Sequence, residues 1–494
     1  MRKFALILGL IAGPACADPL FEDLSTNLPP HTYDGGWEHF VGGGLAVFDC
    51  DADMLPDIFA AGGANPAQLM HNLGDFQFET APIPQLTGVI GAYPIDLNAD
   101  GIMDLFVLRV GGNKVLQGGP DCSFTDATTA MGILDDDRWS TAFTAWWAAG
   151  ADRPTLAIGN YVDRSNPDGP FGACDVNVIL HPTAQGYRED LLTPGYCPLS
   201  ILAANDARGR PTLRLSNDRH YYLKDGHEQM WDLTEQRFLG AADGWDNVSL
   251  WGMGIASRDL NDDGRDEVML TSMGDQLLQF AQADGSYKAA DYAIGTYAQR
   301  PHVGDDGRPS TGWHAEFADV NNDGRADLFI AKGNVDQMPG MATRDPNNLL
   351  MQNVDGTFTE MGATAGIATT ARARGAALAD FDGDGRLDLV VSNRRAALEL
   401  YRNATADTGN WITVKLSQEG GNRDAIGAVI AVTTDTISQS VQHTIGGGHA
   451  GGQLGARHFG LGDAESAEIT ITWPDGTQSH ATANAGTRLH LRKP

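Results

Sequence analysis

Five nine-residue segments carry carboxylates at a spacing that suits a hard divalent cation. They present Asp49, Asp51, Asp53 and Asp57; Asp96, Asn98, Asp100 and Asp104; and Asp259, Asn261, Asp263 and Glu267. The last two present Asp319, Asn321, Asp323 and Asp327, then Asp380, Asp382, Asp384 and Asp388. Positions 1, 3, 5 and 9 offer side-chain oxygens and position 7 a backbone carbonyl, while glycine at position 6 permits the left-handed turn that folds the loop round an ion. An all-oxygen set without His or Cys selects Ca²⁺, since Mg²⁺ prefers a smaller octahedral shell. The EF-hand alternative requires a Glu at loop position 12 and flanking helices, and the sequence offers neither. The copies are unequal: Glu267 lengthens one ligand, and Met54 stands where glycine belongs. A Cβ penalises the left-handed conformation, so the loop at 49–57 is expected to bind most weakly of up to five Ca²⁺ sites.

Each loop follows a small-residue strand, such as Gly44-Leu-Ala-Val-Phe48 or Gly375-Ala-Ala-Leu-Ala379, and leads into a β-rich run. The loops therefore join strand to strand. Two worn copies fill the long interval after Asp104, at Asp152–Asn160 and Gly209–Asn217; they have lost the acidic set and kept the strand. That makes seven repeats, the signature of a ring or solenoid. The last repeat stops at Leu398-Glu-Leu-Tyr-Arg-Asn403, and Leu20-Phe-Glu-Asp23 supplies the missing strand. Such complementary ends close a ring and leave only short edges. The expected fold is all-β, a seven-bladed β-propeller over 18–405 with the N-terminal strand completing the last blade. A linker at Ala404–Gly409 then opens a small all-β domain over 406–494, where no helical period intervenes.

The acidic repeats resemble the FG-GAP/VCBS repeats of integrin α-chain propellers and of many bacterial exported proteins. Asn422-Arg-Asp-Ala-Ile-Gly-Ala428, His458-Phe-Gly-Leu-Gly462 and Trp473-Pro-Asp-Gly476 resemble the ASPIC/UnbV domain, which follows such propellers in the cartilage-acidic-protein-like family. The resemblance implies that the loop cations are structural and that the function is extracellular binding or cell adhesion.

Composition agrees with a site outside the cell. With 64 acidic against 34 basic residues the formal charge is −30, which repels nucleic acid and anionic lipid. Arg2 and Lys3, an apolar run from Phe4 and the Ala15-Cys16-Ala17 end read as a signal peptide over 1–17. No later apolar run is long enough for a transmembrane segment. Cys50, Cys122, Cys174 and Cys197 then remain, an even set that favours two disulfides in a secreted or periplasmic protein. Three connectivities are open; Cys174–Cys197 closes a short loop and leaves Cys50–Cys122 as the remainder.

The sequence holds no GxSxG elbow, HExxH helix or P-loop, so no catalytic residue is assigned. Trp139, Trp146, Trp147, Trp251 and Trp313 suit packing between blades better than sugar stacking. Gly446-Gly-Gly-His449 reads as a tight turn or close strand contact. The expected partner is an extracellular protein or polysaccharide; the alternative is a glycan-active enzyme with its site in the propeller's central funnel.

Overall fold

The computed structural model describes residues 17–134, 136–166, 172–218, 223, 225–297 and 308–494; nearly the whole of the expected signal segment lies outside them. Seven four-stranded antiparallel meanders follow one another. Their innermost strands are Leu45–Phe48, Val89–Ile95, Ser140–Trp146, Pro198–Asn205, Gly252–Arg258, Gly312–Ala318 and Ala373–Ala379. Each touches the next, and the first touches the last, so the sheets close into a β-propeller. The innermost strands are short on bulk because the ring narrows towards its axis: Ala373–Ala379 is four alanines, one glycine, one leucine and one arginine.

Glu399–Asn403, the third strand of the last sheet, pairs antiparallel with Phe21–Asp23, with Phe21 opposite Asn403. The N-terminal strand thus completes the blade that the repeat pattern leaves short. The worn copies supply second strands, Thr155–Asn160 and Pro211–Asn217, of the third and fourth blades. Cys50–Cys122 ties the first blade to the second, and Cys174–Cys197 ties the third to the fourth. Each bridge therefore crosses a blade boundary, where hydrogen bonding between sheets is sparse.

The C-terminal domain has two sheets around one apolar core. Arg457–Gly462, Asn410–Ser417 and Thr487–Arg492 form one sheet; Ser438–Gln442, Val429–Thr433, Ser466–Thr472 and Gln478–Asn484 form the other. Ile412, Val414, Ile430, Phe459, Ile469 and Trp473 meet between them, fully or almost fully buried.

One segment of this domain leaves it and threads the propeller axis. Gly452–Leu454 adds a parallel strand to Leu45–Phe48 of the first blade. Ile445, Gly446, Gly448 and Gly451 bridge to Ala145, Leu202, Ile255 and Ala92, on the third, fourth, fifth and second blades. The His449 backbone N–H donates to His314 Nδ1 at 3.2 Å on the sixth blade. His449 and Ala450 are completely buried. The glycines are a steric requirement here: a Cβ on Gly91 would stand 1.5 Å from the Ala450 carbonyl oxygen, and one on Gly44 only 1.9 Å from it. The funnel that the enzyme alternative required is filled along this stretch by the protein's own chain.

Candidate metal centre at the blade hairpins

The five acidic loops are the hairpins between first and second strands of the first, second, fifth, sixth and seventh blades. They share one hydrogen-bond scheme. At position 1, Oδ2 of Asp49, Asp96, Asp259, Asp319 and Asp380 accepts the position-6 N–H at 2.7–3.2 Å. At position 3, Oδ1 of Asp51, Asn98, Asn261, Asn321 and Asp382 accepts the position-5 N–H at 3.0–3.3 Å. At position 5, Oδ1 of Asp53, Asp100, Asp263, Asp323 and Asp384 accepts the position-7 N–H at 2.8–3.0 Å. These bonds curl each loop so that its acidic side chains turn inward.

Position 9 does more than offer an oxygen. One oxygen of Asp57, Asp104, Glu267, Asp327 and Asp388 accepts the position-2 N–H at 2.8–3.1 Å. The other accepts an N–H at the far end of the third strand, from Asn72, Gly118, Ala281, Gln352 and Asn403 at 2.8–3.3 Å. This carboxylate therefore braces three strands together, a role the nine-residue pattern does not display. Glu267 makes the same pair of bonds, so its extra methylene is absorbed without breaking the scheme.

The backbone takes two left-handed residues per loop. Position 6 has φ of +86° at Gly101 and Gly324, +79° at Gly264, +85° at Gly385 and +72° at Met54. Met54 thus keeps the shape of the other loops and carries its strain. Position 4 is left-handed too, at Ala52, Ala99, Asp262, Asn322 and Gly383. The recurrence of small or Asx residues there is the available sequence signal.

The donor atoms fit a cation. Asp49, Asp51 and Asp53 bring one oxygen each within 4.8 Å of one another, as do Asp380, Asp382 and Asp388. In the second and sixth loops the neutral Asn98 and Asn321 amides donate to Asp100 and Asp323 at 2.8 and 3.0 Å. Oδ1 of Asp49, Asp96 and Asp380 is buried and has no hydrogen-bond partner. An oxygen left in that condition costs about 1–3 kcal/mol. Burial pushes Asp57 and Asp380 up to about 6 and Asp104 and Glu267 up to about 7. It raises Asp319, Asp327 and Asp388 as well, with neighbouring carboxylates adding to the rise. Bound divalent charge opposes both causes.

The first loop has a neighbour the others lack. His71 Nδ1 lies 2.9 Å from Asp57 Oδ1, and the Cys50–Cys122 bridge sits beside the pair. The worn fourth blade has solved the charge problem internally. Asp206 follows its first strand where the other loops place position 1, and Arg210 Nη2 lies 2.6 Å from its carboxylate. Asp232 adds a second acid at 3.7 Å. In the third blade Arg153 donates to the Met131 carbonyl at 2.7 Å and lies over the Tyr187 ring. A guanidinium occupies the hairpin in both worn copies. Trp139 and Trp313 are buried, as expected of packing between blades.

The C-terminal domain covers this same hairpin face. Lys415, Arg423 and Arg488 approach Asp49, Asp96 and Asp380. Ser440 approaches Asp259, and His458 lies 2.7 Å from Asn322 of the sixth-blade loop. The sequence groups neither these basic residues nor the threaded segment with the loops.

Family models match both parts. An FG-GAP-like repeat model matches residues 49–107, 259–330 and 340–391, and an ASPIC and UnbV model matches 418–494. Cartilage acidic protein 1 of Mus musculus is 26% identical over 518 residues, covering 95% of this chain and 76% of the relative. The Homo sapiens protein is 26% identical over 242 residues, covering 48% of this chain and 35% of its own. Among solved structures, BBS1N in complex with ARL6DN aligns over 80% of this chain and 99% of its own, with a TM-score of 0.48 and 10% identity. The extracellular domain of a hybrid two-component system from B. thetaiotaomicron aligns over 91% of this chain and 57% of its own, with a TM-score of 0.42 and 9% identity. The five hairpin loops fall within the FG-GAP-like matches, and all of the covering domain beyond its first strand falls within the ASPIC and UnbV match; the chain carries FG-GAP-like repeats on a propeller and a C-terminal ASPIC/UnbV domain, and is similar to cartilage acidic protein 1.

Proposed function

We propose that this protein is an exported binding module, acting in adhesion to an extracellular protein or polysaccharide, in which Ca²⁺ rigidifies the hairpins of five blades. The observation that carries the calcium reading is the shared loop scheme, with position-1 oxygens of Asp49, Asp96 and Asp380 buried and unpartnered. Position 9 links each loop to its third strand, so an ion held there stiffens the blade and not merely a surface turn. The two blade-crossing disulfides support an export destination, where such bridges persist. Among the described residues no helix is long and apolar enough to cross a membrane.

Thermal melting of the full chain in Ca²⁺ and in EDTA tests the metal. Ligand that binds only the folded state raises Tm, by about 2.7 kcal/mol of added stability at a hundredfold excess over Kd. A melting curve indifferent to EDTA and to added Ca²⁺ would refute the structural-calcium reading. Capture on glycan and matrix-protein arrays, with and without Ca²⁺, tests the binding role.

A further inference from the structure

The C-terminal domain meets the five loops with two kinds of contact. Lys415 Nζ stands 3.9 Å from Asp49 Oδ2, Arg423 Nε 3.9 Å from Asp96 Oδ2, and Arg488 Nη2 3.2 Å from Asp380 Oδ2. The other two loops meet neutral groups of that domain. The Ser440 hydroxyl donates to Asp259 Oδ2 at 3.4 Å, and Gly460 packs against Asp319. Their buried positive neighbour is Arg258, on the propeller's own fifth blade.

The division recurs inside the loops. Position-1 Oδ1 is buried and unpartnered in the three that face Lys415, Arg423 and Arg488. In the other two it accepts the N–H of Asp263 or Asp323, at 3.2 and 3.0 Å. The remaining charged neighbours of the three loops are His71 beside Asp51, and Arg386 and Arg402 beside Asp384, all of the propeller, together with Asp424 of the C-terminal domain, an acid near Asp96. The basic neighbours of their position-1 carboxylates, by contrast, come from the other domain.

We infer that Lys415, Arg423 and Arg488 set the cation affinity of these three loops and couple their loading to the seating of the C-terminal domain. The inference rests on the reading of the loops as Ca²⁺ sites. A fixed cation beside a carboxylate opposes a second cation on that same carboxylate, and the partly buried interface screens the opposition weakly. Coupling of this kind is reciprocal: whatever the domain's charge takes from ion binding, the ion takes from domain docking. Arg210 shows within this molecule that a guanidinium serves a hairpin acid in a cation's place. The loops at 259–267 and 319–327 lack a cation from the other domain, so their loading leaves docking unchanged.

Calcium titration calorimetry on the full chain separates these statements. Lys415→Gln and Arg423→Gln are mild changes, since the two side chains are 43% and 46% exposed. Each of them, and Arg488→Gln, is expected to tighten one site about fivefold with the stoichiometry unchanged. Ser440→Ala, at a loop with a neutral contact, should leave affinity as it is. Hydrogen exchange supplies an independent readout: saturating Ca²⁺ should speed exchange along Asn410–Ser417 and Thr487–Arg492 in the wild type and not in the triple variant. Unchanged or weaker affinity in all three charge variants, with the wild type still binding Ca²⁺, overturns the coupling. A wild-type chain that takes up no Ca²⁺ overturns the site reading on which the coupling stands.

Discussion

Arg210 places its guanidinium 2.6 Å from the Asp206 carboxylate, at the point in the fourth blade where five other blades present the first acid of a loop. Asp206 also accepts the backbone N–H groups of Arg208 and Arg210, at 2.8 and 2.9 Å. The worn repeat has therefore kept its loop by carrying a cation in the sequence.

Arg210→Met leaves the buried Asp206 and Asp232 without their counter-charge. Removing one partner of a buried pair destabilises strongly, and the partial exposure of Arg210 reduces the effect to about 2 kcal/mol. Urea unfolding in EDTA should register that loss.

Met54 is held at φ +72° with its side chain largely exposed. Met54→Gly removes the left-handed penalty of about 1–2 kcal/mol and adds some unfolded-state entropy, for a net gain near 1 kcal/mol. A Tm that falls in both EDTA and Ca²⁺ would contradict the strain assigned to this loop.

Gly91→Ala sets a methyl group against the Ala450 carbonyl, in a strand too constrained to move aside. The expected cost is about 3 kcal/mol, with faster proteolysis between Ile445 and Leu454. Gly455→Ala, with no atom within 4 Å of its new Cβ, should stay within about 0.5 kcal/mol of the wild type.

His449 is buried on the axis, where burial pushes its imidazole down to about 3. Its ring bonds the Met253 carbonyl through Nδ1 at 3.2 Å and accepts the Gly42 N–H through Nε2 at 3.1 Å. The unfolded chain takes up this proton near pH 6.5, and the folded chain only near 3. Stability from this group is thus complete above 6.5 and is lost as pH falls, by about 1.4 kcal/mol per unit. Denaturant curves at pH 7.5 and 5.0 should show the wild type losing roughly 2 kcal/mol more than His449→Gln, whose amide offers one donor and one acceptor. Equal losses would remove His449 as the source.

The sequence made the local geometry legible. Carboxylate spacing marked each hairpin, and the truncated seventh repeat with Leu20–Asp23 marked the ring closure, because both are written in contiguous residues. Three features were not. The bracing role of position 9 depends on a third strand whose separation from its loop varies, as with Asp57 and Asn72 against Asp327 and Gln352. Arg210 pairs with Asp206 and Asp232 in a hairpin that has lost the acidic spacing, so no contiguous pattern marks it. The Gly446–Gly448 run signals close packing, but its neighbours are Leu202 and Ile255, far away in sequence, and no periodicity points to them.

The threaded segment also acts as a gauge. Repeat rings can grow or shrink by duplicating or losing a unit, and a closing strand alone would accept either change. Here Ile445–Leu454 spans an axis of one diameter, bridging five blades through backbone pairing and a sixth through His449. A ring with one unit more would be too wide for those bridges, and one with a unit fewer would close on the Ala450 carbonyl. The threaded segment is thereby matched to the diameter of this ring.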